Sequence, residues 1–155
     1  MEKEVARETA RERCPFLFRH APMPDAPATE RRKHALLAGI NAYPNLSSFA
    51  QLDGCVNDAR VMAALLRDTF GFDEEHVTLL TDEAATRDGL LHALGALAEK
   101  VERDDVVVFF FAGHGSQMTD REGDEPDGLD ETIVPHDAAR APHPNRDITD
   151  DEIHA

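Results

Sequence analysis

An α/β domain built on a mostly parallel sheet is the fold class this sequence predicts, and two observations lead to it. Apolar runs short enough to be strands alternate with longer stretches of helical spacing, each long enough to cross between parallel neighbours. The most hydrophobic run, Val106-Val-Val-Phe-Phe-Phe111, leads through Ala112-Gly113 into His114-Gly115. A histidine between two glycines is thereby delivered to the carboxyl end of a strand, where open α/β sheets gather functional groups.

The elements follow in order. Residues 2–13 suit a short charged helix, and Pro15, Pro22, Pro24 and Pro27 then break continuity, so 1–32 read as an extension and 33–155 as the domain. His34–Ile40 is a buried first strand, and Asn41-Ala-Tyr-Pro44 a loop after it. Val56, Ala59, Val61, Met62, Leu65 and Leu66 recur at helical spacing before Gly71, with the entry to this helix between Asp53 and Asn57. His76–Leu80 is a second strand. Thr86 is the N-cap of a helix over Arg87–Val101, packed through Leu90, Leu91, Leu94 and Leu97.

Val106–Phe111 has the composition of a central strand covered on both faces. From Asp120 to Glu131 there are seven acids and one base, interrupted by Gly123, Pro126 and Gly128, which predicts a loop, with Thr132–Val134 a short strand after it. Thr149 and Glu152 have the spacing of a capping box at the start of a helix that barely begins before residue 155.

The formal charge is −15, from 31 acids against 16 bases, which disfavours nucleic acid as a partner. The imbalance lies in the domain: residues 1–33 hold eight bases and six acids, residues 34–155 eight bases and 25 acids. No run reaches the roughly 18 apolar residues of a membrane helix, so no membrane partner is expected and a cytoplasmic location is. The two cysteines have no paired spacing, which fits a reducing compartment.

His114 is the leading acid–base candidate, since an imidazole exchanges protons near neutral pH, while a purely structural histidine in a glycine turn is the alternative. Gly113 and Gly115 permit a tight turn and expose an amide to developing negative charge. Cys14 lies outside the domain. Cys55, near a helix start where the dipole lowers a thiol pKa, is a structural, regulatory or catalytic cysteine. Asp58 either serves the helix start or lines a pocket for a cationic side chain. Asp127, Asp130, Asp150 and Asp151 are hard oxygen donors suited to calcium, or else solvated acids; no zinc pattern joins the histidines.

Together these segments resemble the metacaspase-like members of the caspase-like cysteine peptidases, peptidase family C14. The resemblance rests on Ala38-Gly-Ile-Asn-Ala-Tyr-Pro44, Leu52-Asp-Gly-Cys-Val-Asn-Asp-Ala59, Val107-Val-Phe-Phe-Phe-Ala-Gly-His-Gly-Ser116, Asp127-Gly-Leu-Asp-Glu-Thr132 and Ile148-Thr-Asp-Asp-Glu-Ile153. It implies a caspase/hemoglobinase-like three-layer sandwich, incomplete at the C-terminus, and peptide-bond hydrolysis by a Cys–His pair after Arg or Lys. His114 matches the family histidine, Gly115 the oxyanion donor, Asp58 the aspartate that selects the basic side chain, and Asp130, Asp150 and Asp151 calcium-binding carboxylates. No organic cofactor is implied.

The family nucleophile belongs to an Asp-x-Cys-like segment on the strand after the Thr149–Ile153 helix, beyond residue 155. Cys55 matches a different family cysteine. The expectation is a partial, large-subunit-like domain with little turnover alone, either a truncated product or one portion of an enzyme whose Cys-bearing segment is supplied on a separate chain. An inactive caspase-like binding or regulatory module is the alternative.

Overall fold

The computed structural model describes residues 31–120, 123 and 125–154. The charged helix and proline linker expected over 1–30, and Cys14 with them, lie outside the described residues.

Three strands, β1 (Lys33–Gly39), β2 (Val77–Thr81) and β3 (Val106–Ala112), form a parallel sheet in the order β2-β1-β3. Helices α1 (Cys55–Asp68) and α2 (Arg87–Lys100) are the crossovers. Strand β1 runs between neighbours on both edges, with Leu37 level with Leu79 on one side and Phe110 on the other. Its alternation divides the core. Ala35 and Leu37 pack with Ala63, Leu66 and Phe72 beneath α1, while Ala38 joins Ile40, Tyr43 and Leu90 on the α2 side. Layered helix, sheet and helix are the sandwich the sequence predicts.

Local chemistry sets the element ends. Thr86 Oγ1 accepts from Gly89 N at 3.1 Å, the expected N-cap of α2. Gly54, at φ 101°, starts α1 in the left-handed region that glycine enters without strain. Gly39 serves a different need: a Cβ there would lie 2.5 Å from Cys55 O and 2.9 Å from the Val56 Cα, so glycine lets α1 begin directly against the end of β1.

Two expectations are corrected, and one strand is added. Strand β3 is an edge strand rather than a central one, and Val106, Val107 and Phe109 are 40%, 45% and 37% exposed. Its composition answers to burial on the α1 side, where Val108 and Phe110 pack; among the described residues no strand pairs with its other edge. In α1 the buried face is Val56, Ala59, Ala63 and Leu66, whereas Val61 and Leu65 face outward. Strand β4 (Gly115–Thr119) was not anticipated, because its residues Gly-Ser-Gln-Met-Thr carry no apolar alternation of their own.

Strand β4 pairs antiparallel with β5 (Leu129–Ile133), and β5 with the two-residue β6 (Ile148–Thr149), forming a second small sheet. The final helix α3 (Asp150–His154) opens with the expected capping box: Glu152 N donates to Thr149 Oγ1 at 3.2 Å, and Thr149 N to Glu152 Oε2 at 3.3 Å. Arg87 ties this helix to α2, its guanidinium gripping the Glu152 carboxylate and donating to Asp147 O at 2.8 Å.

The amino edge of the sheet is closed by Asp105. Its carboxylate accepts from Arg32 N and Glu102 N, each at 3.0 Å, and lies 3.3 Å from Nε2 of the buried His34. The Glu102 and Arg32 amides, against the opposing effect of desolvation, hold the Asp105 carboxyl below its ordinary pKa. Its contribution is therefore fully present above the ordinary aspartate range and disappears as pH falls through the lower folded value. In acid unfolding monitored by circular dichroism, Asp105→Asn is expected to be less stable at neutral pH and to lose less stability than the parent as the solution is taken below about pH 4. Parallel pH profiles for the two chains would contradict this account.

Candidate active site

His114 sits between β3 and β4, at the carboxyl edge of the parallel sheet. Its main-chain N–H donates to Tyr43 Oη at 2.9 Å, and the Tyr43 and His114 ring centroids are 4.9 Å apart. The ring Nε2 lies 2.8 Å from Ala50 O. A carbonyl only accepts, so this contact places a proton on Nε2 and leaves Nδ1 as the basic nitrogen of the neutral imidazole.

Tyr43 is the one tyrosine of the chain and is fully buried. Burial raises its hydroxyl pKa above the ordinary value, so the neutral phenol persists as the acceptor for His114 N. Gln51 fastens the loop that carries Ala50: its Oε1 accepts from Tyr43 N at 2.9 Å, and its Nε2 donates to Tyr43 O at 3.0 Å. At the start of the same loop, Asp82 Oδ1 accepts from Asn41 N at 2.8 Å and Ala42 N at 3.0 Å.

The glycines around His114 act differently from the sequence expectation. Neither Gly113 nor Gly115 takes a positive φ. Gly113 is needed because a Cβ would lie 2.7 Å from Tyr43 Oη and 2.8 Å from the Phe111 ring. The amide of Gly115 is placed by register. Val134 N donates to His114 O at 2.9 Å, so the 114/134 pair is the hydrogen-bonded one, and Gly115, opposite Ile133, turns its N–H away from β5.

Cys55 is the first residue of α1 and is half-buried, and Asp58 is exposed in the same first turn. The thiol pKa is raised, not lowered as the helix start alone suggested: burial is the largest cause, followed by the Asp58 carboxylate. Among the described residues no hydrogen bond joins Cys55 to His114. Among the described residues there is thus no assembled catalytic cysteine pair.

The predicted calcium ligands are only partly gathered. Asp130, buried on β5, and Asp151 of α3 line one cavity of about 520 Å³ together with Arg87, Arg146, Asp147 and Thr149. Asp150, at the start of α3, is not part of its lining. Among the described residues no group of three or more His, Cys, Asp or Glu side chains is arranged to hold a metal ion. Of the other carboxylates in this cavity, Asp147 is paired with Arg140 at 2.9 and 3.0 Å, and Glu152 with Arg87. The donors are hard oxygens, which fits calcium chemically.

The family described as "Metacaspase, peptidase C14 domain" matches residues 33–155, which is most of the chain. The chain belongs to the metacaspases. Metacaspase-1A of Aspergillus oryzae is 38% identical over 128 residues, covering 79% of this chain and 29% of that protein. Metacaspase-1 of Sclerotinia sclerotiorum is 38% identical over 132 residues, covering 81% and 29% respectively. The crystal structure of protein GSU0716 from Geobacter sulfurreducens superposes with a TM-score of 0.60 at 32% identity, over 79% of this chain and 43% of that one. This metacaspase domain therefore spans less than a third of the length of these curated relatives. No helix among the described residues is long and apolar enough to cross a membrane.

Sequence reasoning did not single out Tyr43, Ala50 or Gln51. A lone tyrosine just after the first strand was a usable signal; a main-chain carbonyl left none. Tyr43→Phe leaves the half-buried His114 amide without its acceptor and is expected to lower unfolding free energy by about 1–3 kcal/mol in urea titrations. A loss within error of zero would show that another group takes over.

Proposed function

We propose that this domain is the histidine-bearing part of a cysteine endopeptidase that cleaves after arginine or lysine, its nucleophile carried by a further segment seated along the open edge of β3. The observation that carries this reading is the Nε2 contact with Ala50 O, which fixes the tautomer and leaves Nδ1 as the base. Residues 33–155 are the working domain and 1–32 an extension, and a reducing cytoplasm suits a thiolate nucleophile.

The chemistry follows from these positions. Nδ1 takes the thiol proton, the thiolate adds to the scissile carbonyl carbon, and the Gly115 N–H donates to the resulting oxyanion. His114 then returns the proton to the leaving amine as the carbon–nitrogen bond breaks, and water hydrolyses the thioester. The edge of β3 supports the placement of the nucleophile. An apolar groove of about 540 Å³ beside it is lined by Leu91, Leu94, Val107, Phe109 and Ile153. A strand added there parallel to β3 ends at the same edge as His114, so a cysteine at its carboxyl end meets the imidazole. Asp58, an exposed carboxylate near that edge, supplies the charge that pairs with a basic side chain.

The alternative, a binding or regulatory module, draws on the raised Cys55 thiol pKa and the missing cysteine pair. Cleavage assays on the chain extended by the Cys-bearing segment, or mixed with it, separate the two. Arg- and Lys-containing peptides are expected to be cut and Asp-containing ones not. His114→Ala should lower kcat/KM by about 10³-fold or more, and Asp58→Asn should erode the basic preference. No turnover by the completed enzyme, with partner binding unaffected by His114→Ala, would favour the module; turnover by the 155-residue chain abolished by Cys55→Ala would place the nucleophile elsewhere.

Calcium belongs to the same reading: Asp130 and Asp151, with the neighbouring Asp150, are the residues that would hold it. Calcium held there would supply positive charge between the carboxylates of β5 and α3. Isothermal titration of the chain with calcium should give heat that Asp151→Ala abolishes; absence of binding to the chain and to the completed enzyme would remove calcium from the account.

A further inference from the structure

The strand that leaves His114 has an unpaired side. In the small sheet β4 is the edge strand, with β5 on one side and no strand on the other among the described residues. Two bonds fix which of its backbone groups point outward: Val134 N donates to His114 O at 2.9 Å, and Asp120 N to Gly128 O at 3.0 Å. Both mark the even-numbered residues as the hydrogen-bonded partners of β5. By the alternation of an antiparallel ladder, the N–H and C=O groups of Gly115, Gln117 and Thr119 face away from it. All three residues are exposed.

We propose that this edge of β4 receives the extended substrate chain on the leaving-group side of the scissile bond, as an added parallel strand with a preference for basic residues a few positions on. The inference rests on the peptidase reading for its register and goes beyond it in naming what lies past the cut. His114 protonates the leaving amine, so the residues after the scissile bond begin at His114, and β4 begins one residue later. In a parallel ladder the groups of one residue bond to residues that flank its partner. With the Gly115 N–H on the scissile carbonyl oxygen, Gly115 O accepts from the amide of the second residue beyond the cut. Gln117 N–H then donates to that second residue's carbonyl, and Gln117 O accepts from the amide of the fourth. Oxyanion donor and docking ladder therefore share one register.

Charge completes the assignment of the occupant. Strand β4 runs toward Asp120, Glu125 and Asp127, described carboxylates of the turn that precedes β5. Glu131, exposed on β5, bonds to Gln117 Nε2 at 3.2 Å. A peptide following β4 for its five residues reaches this acidic turn with roughly its fourth to sixth residue beyond the cut. Lysine or arginine there is matched by the local field. Strand addition of this kind takes affinity from the backbone and selectivity from alternate side chains.

The test uses fluorescent decapeptides with arginine at the cleavage position and lysine at the fifth position beyond it, binding to the 155-residue chain by anisotropy. N-methylation of the amide of the second or the fourth residue beyond the cut is expected to weaken binding about 3–10-fold, and N-methylation of the third to leave it within about two-fold. Lysine→glutamate in the peptide should weaken binding most at low salt. Gln117→Pro removes one outward N–H and keeps the ladder with β5, as proline does on an edge strand; it should lose the same 3–10-fold. If that variant fails to fold by circular dichroism, the N-methyl series on the parent chain decides.

The chain completed by the Cys-bearing segment gives a second readout: the ratio of kcat/KM for the decapeptide over a substrate ending in a leaving dye should fall on N-methylation at the second or fourth position. Alternating sensitivity in binding without any turnover would keep the docking strand and overturn the peptidase. Turnover with no alternation, or no binding of any decapeptide, would overturn the docking strand.

Discussion

Strand β1 is the constraint on which the functional end of the molecule depends. It is hydrogen-bonded along both edges and buried on both faces, with Ala35, Leu36, Leu37 and Ala38 at 1% exposure or less. A strand held on four sides has no freedom to slip, because a shift by one residue would exchange its two core faces. Its carboxyl end is therefore a fixed point, and the loop from Asn41 to Leu52 is hung from it by Asp82, Gln51 and the bond from Leu52 N to Asn41 O at 2.8 Å. Tyr43 and Ala50, the two groups that hold His114, both belong to that loop.

The same fixed point explains why the imidazole is oriented without any charged partner. The Ala50 carbonyl sets the tautomer, and the phenol of Tyr43 anchors the main chain from inside the core. Neutral groups perform this task at a sheet edge whose surroundings are strongly acidic. Carboxylates are also numerous in the second sheet and its neighbours. There Arg140 and Arg146 bind Asp147 and Asp137 within the chain from 137 to 152, and Arg87 of α2 binds Glu152 and fastens that stretch against α2. Breaking one member of such a set leaves a charge without its partner, which is costly where Asp147 is buried.

Much of the fold was legible because helix and strand periods report directly on which side chains are buried. The Thr86 cap, the Thr149–Glu152 box and the three parallel strands stand where the sequence puts them. Reading failed where burial depends on what lies alongside. The residues Val107 and Phe109 are as hydrophobic as Val108 and Phe110, yet only the latter pair meets α1. Val61 and Leu65 share a helical period with Leu66 but lie on the other side of α1. Strand β4 is polar and glycine-led, and it is a strand because β5 pairs with it.

By itself the sequence determined the α/β class, the arrival of His114 at the end of a hydrophobic strand, and membership of the metacaspases, since these are written in local periodicity and in motifs of fixed order. Only the tertiary structure decided which nitrogen of His114 faces the Ala50 carbonyl, why Gly113 is a glycine, that the Cys55 thiol pKa is raised, and that Asp130 and Asp151 share a cavity that Asp150 does not line. The physical reason is common to all of these: each depends on groups brought together from distant parts of the chain, several of them main-chain atoms that every residue possesses and no residue type announces.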